Sequence, residues 1–503
     1  MISNLRALAL AVGMAPSEGD GRDLLVRQRD VDGPLHLDRV SADRLELVHV
    51  DTAGILAVRS CVIEELVIDH CASDAILITN SRIGRLTVRN APATCEISFT
   101  ESTADVVDVH SCGPLRVHNV RVAESVQIAG LRGGIRLKGL RTAALAVRSQ
   151  TSSGRRGRPD ARLENVRVTE SLVFDDLWLS SLALQDVDAA SLELRRVRLD
   201  APLAGSGVHC RDFLRINGMV VTGGAGCLEE SNVQGIVEVK GVRRIAVAVP
   251  RQHPGQRRAP GPESAPPAAA EPLELTFRSS TVRRVRVSAE DSAPLVVSLD
   301  DSVVTEALSM PSGPARFRLD GDSTVQEVDL GNAVFRRAAH VNGFLERVFT
   351  HVTANSLEAV RATLERQRRT SEADELYYRI RQRETEQAPW PRRLLGHGVL
   401  GGILGWGVRA RNPARALLFG ILSTTVVLRL TGAPPGLGSE RLVDLSAAAK
   451  SLAMACALWL NVGVGAPSEV KTYAWTATAV CFTIGGMVFT TLTVGIVIRK
   501  LVR

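Results

Sequence analysis

Residues 461–465 read Asn461-Val462-Gly463-Val464-Gly465, followed by Ala466 and Pro467. Glycine reaches backbone angles that other residues reach poorly. A run with glycine at alternate positions can therefore turn successive carbonyl oxygens toward one axis and replace the water shell of a cation. Gly463 and Gly465 hold those positions, although the same residues would also serve as a flexible turn. The surroundings bear on the choice. An apolar run over 446–460 leads into the segment, and a second run without charge extends from 472 to 498. Backbone outside a helix is tolerated at membrane depth only where it is buried or lines a watery cavity.

Other residue types that could do chemistry are dispersed. Acidic pairs stand at Asp175/Asp176, Glu229/Glu230 and Asp300/Asp301, with histidines at His110 and His118. Each pair sits beside turn-forming residues or at a strand end, where solvated carboxylates are ordinary. No Ser/His/Asp or Cys/His arrangement accompanies them, so no catalytic residues are assigned and no enzyme is expected. The eight cysteines have no Cys-x-x-Cys spacing and no histidine at metal-site spacing. Cys61 and Cys71 lie ten residues apart, which suggests stacked buried thiols in a reducing compartment, with no metal and no cofactor.

The elements that must position these residues fall into two kinds. From residue 34 to about 249, apolar pairs separated by one residue recur about every ten positions, as in Leu35/Leu37, Leu45/Leu47, Leu66/Ile68, Ile76/Ile78 and Leu86/Val88. Further on the step tightens to five, as in Leu177/Leu179, Leu182/Leu184, Leu192/Leu194 and Val197/Leu199. Alternation means a short strand with one buried face, and a fixed period means that such strands stack on copies of themselves. The expected fold is a mainly β solenoid, a right-handed parallel β-helix over 34–345, behind an N-terminal cap at 1–33. Arg6 and the short apolar patch at 7–14 give a weak basic start and a short core for a signal peptide, so a helical cap is the expectation there. Ser/Gly/Arg-rich residues 150–160 and Pro/Ala-rich residues 250–272 read as disordered insertions, with strands resuming afterwards. The five-residue step resembles the pentapeptide-repeat family, with Leu179, Leu184, Leu194 and Leu199 at its central position. Leu177, Leu182, Leu192 and Val197 stand where that family prefers alanine, so the resemblance is to a degenerate relative with a wider coil.

A charged helical connector follows at 346–391, with apolar residues at helical spacing (Leu357, Val360, Leu364; Leu376, Ile380). Within it stand Tyr377, Tyr378 and Arg379, then Gly405-Trp406-Gly407 with Arg409, Arg411 and Arg415 beyond. This order of motifs resembles bacterial membrane proteins that join pentapeptide-like repeats to a two-span pore domain, over roughly residues 354–503. The resemblance implies an interfacial helix at 392–412 and a pore-loop domain at 413–503. That domain would hold spans at 413–430 and 473–498, a re-entrant pore helix at 442–460 and a filter-like loop at 461–467. Residues 442–460 could instead form a third span, and Lys450 lies inside that stretch. Gly485 and Gly486 fall where the resembling channels bend, although small-residue helix packing accounts for them equally well.

The formal charge of +7 and a pI of about 9.2 come with few aromatics to stack on bases, and basic residues gather beside the apolar runs. No nucleic-acid partner is expected. Arg392, Arg393, Arg409, Arg411 and Arg415 precede the first span, and Arg499, Lys500 and Arg503 follow the last. By the positive-inside rule both termini are cytoplasmic in a multi-pass protein of the cell membrane.

Set against the potassium-channel filter, Thr-Val-Gly-Tyr-Gly-Asp, the chain matches at Val462, Gly463 and Gly465 and departs at Asn461, Val464 and Ala466. The departures remove a hydroxyl ligand, a bracing ring and an outer carboxylate, so strict potassium selectivity is not implied. The resemblance implies a homotetramer among membrane lipids that conducts monovalent cations, with a protein or small ligand engaging the β-helix. The alternative is a non-conducting anchor that displays the solenoid.

Overall fold

The computed structural model describes residues 23–130, 132–149, 158–244, 272–289, 294–331, 338–387, 389–394, 411–431, 447–460 and 473–502. They fall into two compact units, divided near residues 334–360.

The first unit is a parallel β-solenoid over residues 23–325, of about 13 turns. Strands β1 (Asp23–Val31), β2 (Leu35–Asp38), β3 (Ser41–Thr52) and β4 (Ile55–Arg59) set its pattern: β1 pairs with β3 and β2 with β4, all parallel. Asp23 lies beside Arg44, Arg44 beside Glu65 and Glu65 beside Arg85, so one turn takes 20 or 21 residues. The ten-residue period in the sequence is therefore half a turn. Each apolar pair stacks on the pair two units further along, not on its neighbour in the chain.

A bend must separate the two halves, and it is made by single residues in the left-handed backbone region. Arg39, Ser60, Asn80, Glu101 and Asn119 mark one edge, and His49, His70, Asn90 and Ser111 mark the other, all with φ between 47° and 57°. Side chains without a glycine's freedom are held there because each bend donates its N–H to the next turn: Arg39 to the Arg59 carbonyl (2.9 Å), Ser60 to Thr79 (3.0 Å) and Asn80 to Thr100 (3.2 Å). The residue after each bend points inward. Where the inward position is a serine, its hydroxyl joins successive turns: the N–H groups of Ser231, Ser280 and Ser302 donate to the hydroxyls of Ser280, Ser302 and Ser323, each at 3.1 Å.

The inward residues fill the coil completely. In the first full turn Leu35, Leu37, Val40, Ala42, Leu45, Leu47 and Val50 are all buried. Ladders cross both insertions, since Arg141 pairs with Arg167 and Gly226 with Leu275, so the solenoid resumes after each of them as expected.

The boundaries differ from the expected ones at both ends. Strand pairing already begins at Asp23, inside the segment assigned to a cap. Toward the other end the last paired strand stops at Val325, and α1 (Ala338–Val348) is a helix where solenoid was expected to continue to 345. Val341, Phe344, Leu345 and Val348 fall three or four apart and are buried, a helical spacing that strand alternation cannot reproduce. The chain then bonds to the last coil through Thr350, whose N–H donates to the Phe317 carbonyl (2.8 Å).

α2 (Ala354–Arg366) and α3 (Thr370–Gln387) take the places predicted from sequence. A reciprocal cap opens α2: the Thr353 N–H donates to Ser356 Oγ (2.9 Å), and the Ser356 N–H donates to Thr353 Oγ1 (3.2 Å). After α4 (Trp390–Leu394) come α5 (Arg411–Thr431), α6 (Ala447–Leu460) and α7 (Tyr473–Val502). α5 and α7 cover the two apolar runs predicted as spans, 413–430 and 473–498; α6 is described from Ala447, and residues 442–446 of the stretch predicted as a pore helix lie outside the described residues.

Candidate functional site

Two helices, α5 and α7, are long and apolar enough to cross a membrane. At 1.5 Å per residue the 21 residues of α5 reach about 31 Å and the 30 of α7 about 45 Å, against a hydrocarbon core of about 30 Å. Only 22% of the apolar stretch Asn412–Leu430 and 11% of Val480–Ile498 are buried within the chain. A soluble core helix would bury most of its length. Here Leu418, Phe419, Leu422 and Leu430 on α5, and Ile484, Met487 and Ile498 on α7, face outward. Arg429 is exposed two residues from the end of α5. Its stem can follow the helix while its charge reaches the headgroup level.

α6 is different. Its 14 residues reach about 21 Å, short of a span, and it packs against both long helices. The shared core gathers Ile421 and Leu428 of α5 with Met454, Ala455, Leu458 and Trp459 of α6. Trp459 occupies its centre. The indole Nε1–H donates to Thr424 Oγ1 on α5 (2.8 Å), and both residues are buried. Phe482 and Phe489 of α7 lie with ring centroids 5.9 Å and 6.3 Å from the indole.

Two glycines make that seat. A Cβ on Gly420 would stand 2.4 Å from Trp459 Cη2 and Cζ2, and a Cβ on Gly486 would stand 1.9 Å from the Trp459 carbonyl oxygen. Gly420 thus opens α5 to the ring, while Gly486 lets the backbones of α6 and α7 touch, the close approach small residues permit between membrane helices. Gly485 meets only ordinary contacts, with its nearest atoms at 3.8 Å, and α7 runs through both glycines without a break. The seat was missed in the sequence. Trp459 is 35 residues from Thr424 and 27 from Gly486, and no local pattern links them.

The predicted filter residues Asn461, Val462, Gly463, Val464 and Gly465 lie outside the described residues, as do Gly405, Trp406 and Gly407. What is placed is the anchor beside them: Trp459 is two residues before Asn461. Lys450 sits half-buried on the first turns of α6. In the connector, the Arg361 and Arg381 guanidiniums each lie 5.2 Å from the centre of the Tyr377 ring. Arg381 also donates to the Tyr377 hydroxyl (3.1 Å) and to Glu384 (2.7 Å), while Arg379 pairs with Glu375 at 3.6 Å. Tyr377 therefore joins α2 to α3 by cation–π contact.

On the solenoid, the second member of each acidic pair, Asp176, Glu230 and Asp301, is a left-handed bend. Their first members are held by arginine: Asp175 by Arg196 (2.8 Å), and both Glu229 (3.3 Å) and Asp300 (3.1 Å) by Arg278. Among the described residues no group of three or more His, Cys, Asp and Glu could hold a metal. All eight cysteines are free. Cys61 and Cys71 are both buried, but half a turn apart they lie on opposite edges rather than stacking. Cys61 donates to the carbonyls of Leu37 and Arg59, and Cys71 to those of Leu47 and Asp69. Burial pushes the thiols of Cys71 and Cys112 up to about 11 and that of Cys210 up to about 12.

No protein-family model matches the chain, and no curated protein or solved structure gives a significant match to it.

Proposed function

We propose that the protein is an integral membrane protein whose helical unit assembles as a homotetramer around a cation path, with the β-solenoid as a cytoplasmic docking or sensing domain. The observation that carries this reading is a helix too short to span, α6, wedged between two helices of spanning length and fixed at its C-terminal end by Trp459. That end leads directly into Asn461-Val462-Gly463-Val464-Gly465. A helix C-terminus carries partial negative charge and favours a cation beyond it. One loop per chain cannot surround an ion, so four copies are required, and the outward apolar residues of α5 and α7 supply surface for lipid and for neighbouring copies. The basic residues that flank the helices support a cell-membrane protein with both termini in the cytoplasm, by the positive-inside rule.

The full-length protein in liposomes is expected to pass a monovalent cation. Gly463→Asp or Gly465→Asp should abolish the flux, because each replaces a glycine of the filter-like motif with a branched, charged residue. Equal flux in variant and wild type removes the conduction reading.

A second reading is favoured by Lys450 on α6 together with Asn461, Val464 and Ala466 in the loop: the same helical unit serves as a non-conducting anchor that displays the solenoid. A tetramer without flux selects the anchor, and a monomer in mild detergent excludes the channel.

A further inference from the structure

Three successive solenoid turns carry two columns of arginine on either side of one row of bends. Arg116, Arg136 and Arg162 are stacked on the strands before the bends, and Arg121, Arg141 and Arg167 on the strands after them. The bends themselves are Asn119, Gly139 and Asn165. All six arginines are exposed. Adjacent turns are about 4.8 Å apart, so like charges face each other directly, which destabilises a sheet unless something neutralises them.

The neutralisation within the chain is partial. Arg116 pairs with Glu96 (3.1 Å) and Arg162 with Glu164, which Lys138 also approaches at 3.7 Å. Arg121, Arg136, Arg141 and Arg167 form no ion pair with a described residue. Acidic residues border the belt, with Glu101 at the bend one turn before and Asp188 beside Arg167 one turn after.

We propose that this belt binds a linear polyphosphate anion laid along the solenoid axis. The groups are arginines, whose planar forks take phosphate oxygens two at a time, and their repeat along the axis matches a chain that offers an anionic group every few ångströms. No Phe, Tyr or Trp lies among residues 114–167, so the belt itself offers no aromatic ring for stacking bases, and recognition is of the phosphates. The inference does not depend on conduction.

The test uses the full-length protein in uncharged detergent micelles and fluorescently labelled inorganic polyphosphate, titrated by anisotropy at several salt concentrations. Binding is expected to weaken steeply with salt. The triple variant Arg121→Gln/Arg136→Gln/Arg141→Gln should weaken it at least tenfold and flatten the salt dependence, while Arg286→Gln/Arg316→Gln, exposed arginines on later turns, should change it less than twofold. A thermal melt by far-UV circular dichroism checks that the triple variant is folded. If it is not, the single variants Arg121→Gln and Arg141→Gln decide, each expected to weaken binding at least twofold. No binding by the wild type, or unchanged binding by the variants, overturns the proposal. So does polyglutamate of equal charge binding as tightly, which would make the partner a carboxylate chain, or oligo-dT binding more tightly, which would make it a nucleic acid.

Discussion

The two adjacent glycines of α7 face opposite consequences from the same substitution. In Gly486→Ala the new methyl would lie 1.9 Å from the carbonyl oxygen, 2.5 Å from the carbonyl carbon and 2.6 Å from the Cα of Trp459. These are backbone atoms and cannot rotate away. Approaches under 3.0 Å essentially never occur, so α6 and α7 must part by about 1 Å. A gap of that size forfeits roughly a quarter to a half of the dispersion energy across the contact, and overpacking of this kind costs about 1–3 kcal/mol. Gly485→Ala meets only the Trp459 ring edge at 3.8 Å. It gains up to about 1 kcal/mol of helix propensity. Gly486→Ala shares that gain, so the two variants should differ by the overpacking cost, about 1–3 kcal/mol, read as the midpoint of SDS-induced unfolding of the full-length protein in mixed micelles, followed by far-UV circular dichroism. Gly495→Ala, with nothing within 4 Å of its Cβ, is the neutral reference. Gly420→Ala should lose stability as Gly486→Ala does, but Trp459→Phe should relieve much of it, because there the clash is with the ring. Equal midpoints for the 485 and 486 variants would refute the seat.

Two further outcomes concern the solenoid. Glu193 is buried and sits between Arg195 and Arg215, and Arg215 also bonds Glu238 on the next turn at 2.8 Å. Arg215→Met should cost roughly 2 kcal/mol in urea unfolding by leaving Glu193 underpaired, and adding Glu193→Gln should recover part of it; strict additivity would count against the pairing. The buried thiols give a pH signature. Their folded pKa values are raised from 9.0 to about 11 or 12, so their stabilising effect is complete below pH 9 and is lost as pH rises through the folded values. Thermal stability should fall between about pH 9 and 12, and the fall should shrink in Cys210→Ala; an identical alkaline slope in that variant would rule the thiol out.

Large inward residues at strict alternation, such as Leu45/Leu47 and Leu66/Ile68, made the solenoid readable, because the strand positions that face the coil interior are filled by apolar side chains. The turn length was not readable. The bends that would mark it are Arg39, Ser60, Asn80 and Glu101, and these share no side-chain chemistry because their φ values are held by hydrogen bonds to the next turn. α1 was legible in principle and overlooked: Val341, Phe344, Leu345 and Val348 fall at helical spacing, but they follow directly on the strand rhythm and read as its continuation. The helical boundaries at 411–431 and 473–502 were legible from length and hydropathy. The contact that organises them was not, since a pair of glycines does not announce which tryptophan rests on it.

The seat also sharpens how channel and anchor can be separated. Either reading needs α6 held rigidly, so the stability of the helical unit is common ground and decides nothing between them. Conduction asks more of Trp459, which stands two residues before Asn461, where the segment read as a filter begins. If that loop lines an ion path, Thr424→Val is informative: it keeps the volume of the seat, removes the oxygen that accepts the indole N–H, and leaves a buried donor unpaired at a cost of about 1–3 kcal/mol. Freed from that bond, the end of α6 can shift, and flux per tetramer should change while the tetramer itself persists. An anchor would show the same loss of stability with no flux to change. A channel whose flux and selectivity were untouched by Thr424→Val would mean that the loop is positioned by contacts with neighbouring copies rather than by Trp459.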